Sequence, residues 1–409
     1  MRIFDLIKIS FEALRSHKLR TFLTILGIVI GVTSVITIVS IVIGMNNKVT
    51  NLINQMGSST FVVSKFGIGD MSSEEAYREA FKRKRLRYRD IEAIKEGCEY
   101  CADVGGRAIT FRQVKYKSEK LNSVVIAGVS SNFTRITDFE IEDGRAHNQF
   151  EEEHYRQVVI LGDKIRRDLF PYSDPMGKEL KIGTHKYEVI GTAKPRGSIL
   201  GEDLDNFVLI PLTTHLKNYG SGSFRDLDIF VKANSEEVIE DAIDQTRVIM
   251  RARRKVDFNE SDNFGITTSE EWLEFYGSVT KTIQIVIVGI PLIALVVAGI
   301  VVMNIMMVSV TERTREIGIR KSIGARKRHI LLQFLVEALM MSLFGGALGI
   351  GLGIWLAKVL AGAGDLPFVI SSAAILGGVF ISTGIGVIFG MYPAVKGANL
   401  DPIDAMRFE

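Results

Sequence analysis

The chain has 409 residues, 47% hydrophobic and 24% charged, with a formal net charge of +3. Averages of that kind fit a soluble protein of two or three domains, and a charge so near balance gives no footing for a nucleic-acid partner. The distribution along the chain overrules the average. Asp, Glu, Lys and Arg are absent from Thr21–Asn47, Thr282–Thr311, Ala338–Ala357 and Leu366–Val395, runs of 27, 30, 20 and 30 residues. A hydrocarbon core ~30 Å thick is crossed by about 20 apolar helical residues. Transmembrane helices are therefore expected over 21–47, 282–310, 330–357 and 366–395. The mixed segment 48–281 is long enough to bury a core of its own. The expected fold class is a membrane protein of four transmembrane α-helices, with a large α+β extracytoplasmic domain inserted between helices 1 and 2.

Residues 1–20 read as an amphipathic interfacial helix on the cytoplasmic side. Ile3, Phe4, Ile7, Phe11 and Leu14 form one stripe, with Arg2, Asp5, Lys8, Glu12 and Arg15 elsewhere. The first span exceeds a signal-peptide core of about 7–15 residues and no A-x-A site follows it, so it reads as retained. Gly27 and Gly31 in this span, and Gly345, Gly349 and Gly353 in the third, have the small-x-x-x-small spacing that lets helices approach closely in lipid. Their partner is either another helix of the chain or a second subunit. Beyond the first span, Val49, Leu52, Ile53 and Met56 keep helical spacing as far as Gly57. Before the second, Thr267-Thr268-Ser269-Glu270-Glu271 reads as a capping box opening a helix through Trp272, Phe275 and Val279. Both spans are thus expected to continue outward as a helical stalk.

The outer domain 48–281 reads as α+β with two subdomains. Strand-like runs lie at 60–66, 123–129, 157–162, 207–212 and 228–233, and 178–193 alternates on both sides of Gly183-Thr184 as a hairpin would. Helices are expected within 73–95 and over 163–169 and 235–254. Cys98 and Cys101 follow a helix end instead of opening one, so a short-loop disulfide or two buried thiols is expected, and not a redox site. The basic run Lys82–Arg89 reads as a solvated loop, or as an attractor for an anionic substrate or partner. No phosphate-binding loop is present: Gly177-Lys178 lacks the earlier glycine and is followed by Glu. No metalloprotease or nucleophile-elbow motif is present either, so no cofactor, metal or catalytic residue is assigned to this chain.

The segment "TERTREIGIRKSIGARKRHILLQF" (311–334) places seven Lys and Arg between two charge-free spans. Residues 1–20 carry five more, whereas the short outer loop 358–365 has Lys358 alone. Lys and Arg mark the cytoplasmic side, so both termini, the tail 396–409 and the loop 311–329 are expected inside. Gly318 and Gly324 bracket a brief helix expected over 319–323, parallel to the membrane, with Glu312, Arg313, Arg315 and Glu316 on the extension leading to it. Glu337 lies about 10 Å into the third span at 1.5 Å per residue. It is either a functional intramembrane carboxylate or a member of an ion pair with Lys18 or Arg20.

Three segments carry a family resemblance. "NIMMVSVTERTREIGIRKSIGARKRHILLQFLVEALMMSLFGGALGIGLG", "LRTFLTILGIVIGVTSVITIVSIVIGMNNKVTNLINQMGSSTFVV" and "MYPAVKGANLDPIDAMRFE" resemble the membrane part of MacB-type ABC exporters, with lipoprotein-releasing and FtsX permeases as relatives. The resemblance implies a bacterial inner-membrane permease with four helices per chain, paired with a second permease chain as a homodimer before a heterodimer. It implies a separate ABC ATPase that binds ATP and Mg, and a membrane-fusion adaptor as a further partner. MacB-type proteins carry an ATPase ahead of the first span, and this sequence has 20 residues there. The family's coupling helix falls on Thr311–Arg326, which makes Glu312, Arg313, Arg315, Glu316, Ile317, Arg320 and Lys321 the expected ATPase-docking residues. The implied function is a non-catalytic efflux subunit working by mechanotransmission. The alternative is an FtsX-like signalling permease that activates an extracytoplasmic partner, and a membrane-anchored enzyme or adhesion domain is a third reading that the loop argues against.

Overall fold

A computed structural model of the chain describes residues 18–54, 57–199, 202–220, 227–364 and 367–406. The stripe expected over 3–14, and Met56, lie outside the described residues. The chain divides into two compact units, Lys48–Val279 and Met1–Asn47 with Thr280–Glu409.

The outer unit is built on a mixed sheet. Its strands are β1 (Thr60–Ser64), β2 (Cys101–Tyr116), β3 (Glu119–Val129), β4 (Ile141–Gly144), β5 (Val158–Leu161), β6 (Glu179–Ile182), β7 (His185–Ala193), β8 (Ser198–Ile199), β9 (Glu202–Asp203), β10 (Phe207–Pro211), β11 (Asp228–Ala233) and β12 (Gly265–Thr268). The order is β12-β1-β11-β2-β3-β10-β5-β7-β4, with β6 pairing β2 and β7, while β8 and β9 form a separate ribbon. The β3–β10 and β5–β7 pairs are parallel and the others antiparallel.

Side chains alternate across this sheet with period two, as a pleated strand requires. Phe61, Val63, Ile229 and Val231 face a core with Ile91 and Ile94, Ile243 and Met250. Val124, Ile126, Val208 and Leu161 face a second core on the same side, over Ile165 and Leu169. Val62, Phe230, Ala127 and Leu209 face the opposite side, against Phe133 and Ile136. The two subdomains expected from sequence therefore have no linker between them: one sheet is continuous, and only the cores on its helical face divide.

The membrane unit and its connections contain α1 (Lys18–Asn54), α7 (Ser269–Glu312), α8 (Thr314–Ser322), α9 (Lys327–Gly364), α10 (Ser372–Asn399) and α11 (Pro402–Met406). The outer unit's principal helices are α2 (Glu74–Lys82), α3 (Tyr88–Gly97), α4 (Asp163–Leu169), α5 (Leu212–Tyr219) and α6 (Ile239–Arg254). Among the described residues four helices, α1, α7, α9 and α10, are long and apolar enough to cross a membrane.

The glycine stripes are seams within the chain. A Cβ on Gly345, Gly349 or Gly353 would lie 3.1, 2.8 or 2.8 Å from the Cβ of Ile28, Val32 or Ile36 on α1. Thr33 and Thr37 hydroxyls donate to the carbonyls of Gly349 and Gly353 across the same seam, both at 3.1 Å. Gly27 and Gly31 receive Ala298 and Leu295 of α7 on another side of α1. A second subunit is thus not the partner of these residues.

The last span departs from expectation. It is helical from Ser372 and not from 366, because residues 367–371 carry no helix. Pro367 has no N–H to give to a helix. The segment instead packs Pro367 and Phe368 against Gly44, and Val369 N–H donates to the Ser40 carbonyl at 3.2 Å.

Candidate functional site

The charged loop folds into α8, and Arg313 is the hinge that makes it a separate helix. Its φ of −102° and ψ of 13° break the path between α7 and α8. Thr314 then bridges the break, its hydroxyl donating to the Val310 carbonyl at 3.1 Å. Gly318 does not bound the helix, as its spacing suggested, but lies inside it. A Cβ there would come 2.8 Å from Cβ of Ala405, so the glycine is what lets α11 lie against α8. The true stop is Gly324, with φ +102°, a left-handed conformation that side chains disfavour.

One face of α8 is bolted to the membrane helices. Arg313, Ile317 and Lys321, spaced by four, point inward together. Arg313 pairs with Glu337 of α9 at 3.4 Å, and Glu337 is only 4% exposed. Ile317 is 2% exposed and shares a core with Ile330, Phe334 and Ala398. The Lys321 ammonium donates to the carbonyls of Ala398 and Leu400, each at 2.6 Å, at the end of α10. That is where a helix leaves carbonyls unsatisfied and favours a cation. Burial, then the neighbouring Lys327, pulls the Lys321 ammonium below its ordinary pKa.

The expectations for this loop therefore divide. Arg313, Ile317 and Lys321 were expected to meet a partner, and the fold uses them internally. The partner of Glu337 is Arg313; the side chains of Lys18 and Arg20 lie outside the described residues. Glu312, Arg315 and Glu316 are exposed. Arg320 is half-buried, pairing with Glu316 and donating to Gln333 Oε1 at 2.8 Å.

Two residues were missed. Ile319 is 46% and Ile323 83% exposed, between Arg315, Glu316 and Arg326. The signal was in the sequence: 315, 319 and 323 recur every four residues, opposite to 313, 317 and 321. Isoleucines rimmed by charge on an otherwise polar knob form the kind of surface that partners cover. Among the described residues, no group of three or more His, Cys, Asp or Glu is placed to hold a metal ion.

Comparison with known proteins agrees with this architecture. The MacB-like periplasmic core domain family matches residues 21–249, and the FtsX-like permease C-terminal family matches residues 288–402. A macrolide export ATP-binding/permease protein MacB from Shewanella sp. is 35% identical over 416 residues, covering 100% of this chain and 61% of the relative. The chain thus spans about 61% of the length of such MacB relatives. An ABC transporter permease of Bacillus subtilis, YknZ, is 33% identical over 409 residues and is covered in full, as is this chain. The periplasmic region of MacB from Actinobacillus actinomycetemcomitans aligns with a TM-score of 0.44 at 18% identity, over 57% of this chain and 95% of that one. With four apolar helices, an α/β domain after the first, and matches along its whole length, the chain belongs to the MacB-like and FtsX-like family of ABC transporter permeases.

Proposed function

We propose that this chain is the permease subunit of an ABC exporter, transmitting force from a partner ATPase to its outer domain and performing no ATP chemistry itself. The observation that carries the reading is the two-sided build of α8. Its inner face is fixed to α9, α10 and α11, while its outer face presents Ile319, Ile323, Arg315 and Glu316. A push on that face moves packed helices and not a slack loop, since packed interiors transmit strain.

With Lys and Arg marking the cytoplasmic side, α8 and both termini would lie in the cytoplasm in this reading, where the ATPase would hold ATP and Mg. Helix α7 is one helix from its cap on β12 to the hinge at Arg313, with Pro291 inside it. In that cap Thr268 N–H donates to Glu271 Oε2 at 3.0 Å, and Glu271 N–H donates to Thr268 Oγ1 at 3.1 Å. Helix α1 is likewise continuous to Asn54. In this reading each carries displacement along its length. A second copy of the chain would complete the permease, and a membrane-fusion adaptor would receive the cargo outside.

The test is charge insertion on the outer face. Ile319→Asp with Ile323→Asp should abolish co-purification with the ATPase and lower its stimulated turnover at least about tenfold. Membrane insertion and the disposition of a C-terminal reporter should stay unchanged. Wild-type complex formation and turnover in that variant would refute the docking assignment.

A further inference from the structure

The sheet face opposite the helices carries a cleft that none of the foregoing uses. Arg107, Ile109 and Phe111 alternate onto that face of β2. In the register of the sheet Phe111, Val125 and Phe207 stand in one row across β2, β3 and β10. Ile109, Ala127 and Leu209 form the next row, and Arg107 begins a third beside Val129. Ala127, the smallest of these side chains, leaves the middle of the floor low. Phe139, Leu204 and Trp272 wall the hollow, and the cleft they enclose has a volume of 600 Å³. Small-molecule sites span about 300–1,000 Å³ and are mostly apolar, with a few polar groups converging on them.

The polar groups that converge here are two half-buried guanidiniums. Arg107 gives Nη2 to Asp228 at 3.0 Å and lies 4.8 Å over the Phe230 ring. Its Nε is buried without a hydrogen-bond partner, although buried donors are ordinarily paired. Arg196 lies 5.6 Å over the Phe139 ring. Its main chain is fixed on both sides: the N–H donates to the Asp205 carboxylate at 3.0 Å, and the carbonyl accepts from Lys48 Nζ at 2.5 Å. Asp205 is engaged by main-chain N–H groups of Arg196 and Gly197, and acts on the Arg196 guanidinium only through its field. Burial pulls that guanidinium below its ordinary pKa, Asp205 opposes the fall, and the charge of Arg107 adds to it. Two acidic side chains also border the cleft. Asp203 stands 3.9 and 3.8 Å from Lys164 and Arg167, and Glu202 is exposed to water.

We propose that this cleft binds a small amphipathic anion, an apolar body bearing one carboxylate head. The two apolar rows take the body, and the head meets Arg107 and Arg196. Like charges brought near each other are destabilising, and an anion between them reverses that cost. A guanidinium whose main chain is already fixed loses less freedom on binding, and its planar fork matches the two oxygens of a carboxylate. A neutral ligand of the same shape would fill the hollow and leave both guanidiniums as they are. The site lies wholly within Lys48–Val279, and binding there does not depend on the ATPase reading.

The probes are laurate, hydrocinnamate and the neutral dodecanol, each offered to the full chain in phosphatidylcholine vesicles. Trp355→Phe leaves Trp272, in the wall of the cleft, as the only tryptophan of the chain, so its emission reports the site. The change should saturate with laurate, which should bind at least about tenfold more tightly than dodecanol, the scale of one charge-assisted hydrogen bond. Arg196→Gln should abolish that preference, and Arg196→Lys should keep part of it. Phe111→Ser removes an exposed wall of the apolar floor and should weaken laurate and dodecanol alike, by at least about threefold. The control Lys115→Gln, an exposed cation of β2 outside the cleft, should stay within about twofold of wild type. Saturation by laurate alone would assign a chain-like body and by hydrocinnamate alone an aromatic one, and either supports the site. Equal affinity for laurate and dodecanol would overturn it. So would a preference that survives Arg196→Gln, or Trp272 emission that neither acid moves.

Discussion

The two units of this molecule are held together by opposite devices. In the outer unit the sheet buries alternate side chains, and bulk does the work: Phe61, Ile126, Tyr187 and Leu161 are among its fully buried residues. In the membrane unit a close seam is made by residues with almost no side chain. Gly345, Gly349 and Gly353 let the backbone of α9 approach α1, and two threonine hydroxyls close the gap with hydrogen bonds. Lipid removes the hydrophobic drive between helices, so close packing and polar contacts must supply the adhesion. Water supplies that drive for the sheet. The same residue type that would weaken a strand is therefore a requirement of this seam.

Breaking the seam is the severest way to test that contrast. Gly349→Leu inserts a branched side chain where even a Cβ sits 2.8 Å from Val32. Neither partner is a flexible chain end, so the helices must separate. The expected result is loss of monodisperse, folded protein on size exclusion, at least about tenfold below wild type. Val62→Ala in the sheet, a cavity mutation of the ordinary kind costing about 1–3 kcal/mol, should leave the yield near normal.

Glu337 sharpens the comparison at the boundary of the two solvents. Its carboxylate is buried and its partner Arg313 is half-buried, and removing one member of a buried pair strands the other, at no more than about 3–5 kcal/mol. Glu337→Gln should therefore lower thermal stability in detergent markedly. Replacing both partners, as Arg313→Met/Glu337→Met, should recover most of the loss, because an apolar pair of similar size suits the site. A double variant no more stable than the single one would mean that the ion pair positions α8 in a way apolar packing does not reproduce.

How far the sequence disclosed these features follows from the same physics. The spans were legible because charge in lipid is costly, so long charge-free runs announce them. The hairpin at Gly183 was legible as well, and Gly183 has φ +60°. β2, the longest strand, was not foreseen. Its 16 residues include Asp103, Arg107, Arg112 and Lys115, which spoil the alternation. These charges are met by tertiary partners: Arg107 pairs with Asp228 at 3.0 Å, and Asp103 accepts from Arg135 Nε at 2.6 Å. Nothing local reveals such compensation. At α8 the charges were legible as a cluster, but which of them faced inward depended on Glu337 and on the end of α10, both remote in sequence. The exposed pair Ile319 and Ile323 was visible in the spacing alone.

Acid should separate the units. His215 of α5 is fully buried against β3, in contact with the Tyr219 ring at 5.5 Å. Burial, then the charge of Arg112, pushes its pKa down from 6.5 to about 4. Its pKa is thus depressed in the folded state: the imidazole stays neutral there, while the unfolded chain takes up a proton below pH 6.5. Stability from this group is intact above pH 6.5 and is lost as the pH falls toward 4. At 1.36 kcal/mol per unit the loss amounts to about 3 kcal/mol. Protection factors of β3 and α5 amides in the intact chain, each rate being referred to the intrinsic exchange rate at its own pH, should fall over that window, while those of α9 hold. In His215→Leu the fall should largely vanish. Protection factors that are unchanged between pH 6.5 and 4 in the wild type would contradict a neutral His215.

The smallest effect expected is that of the Cys98–Cys101 disulfide. Of the two readings its spacing allowed, disulfide and free thiols, the bond is the one realised. It joins the C-cap of α3 to the first residue of β2. Closing a loop of sequence separation 3 removes little freedom from the unfolded chain, about 2 kcal/mol on the chain-entropy scale. Its site already has a second restraint, since Cys98 N–H donates to the Ile94 carbonyl at 2.9 Å as the helix ends. Cys98→Ala/Cys101→Ala should thus fold and insert normally, with faster amide exchange confined to the end of α3 and the start of β2. Reducing agent should reproduce that local change in the wild type and do nothing further in the variant. If reduction instead loosens the membrane helices, the outer domain is coupled to them through this corner, and the division of labour between sheet and bundle would have to be redrawn.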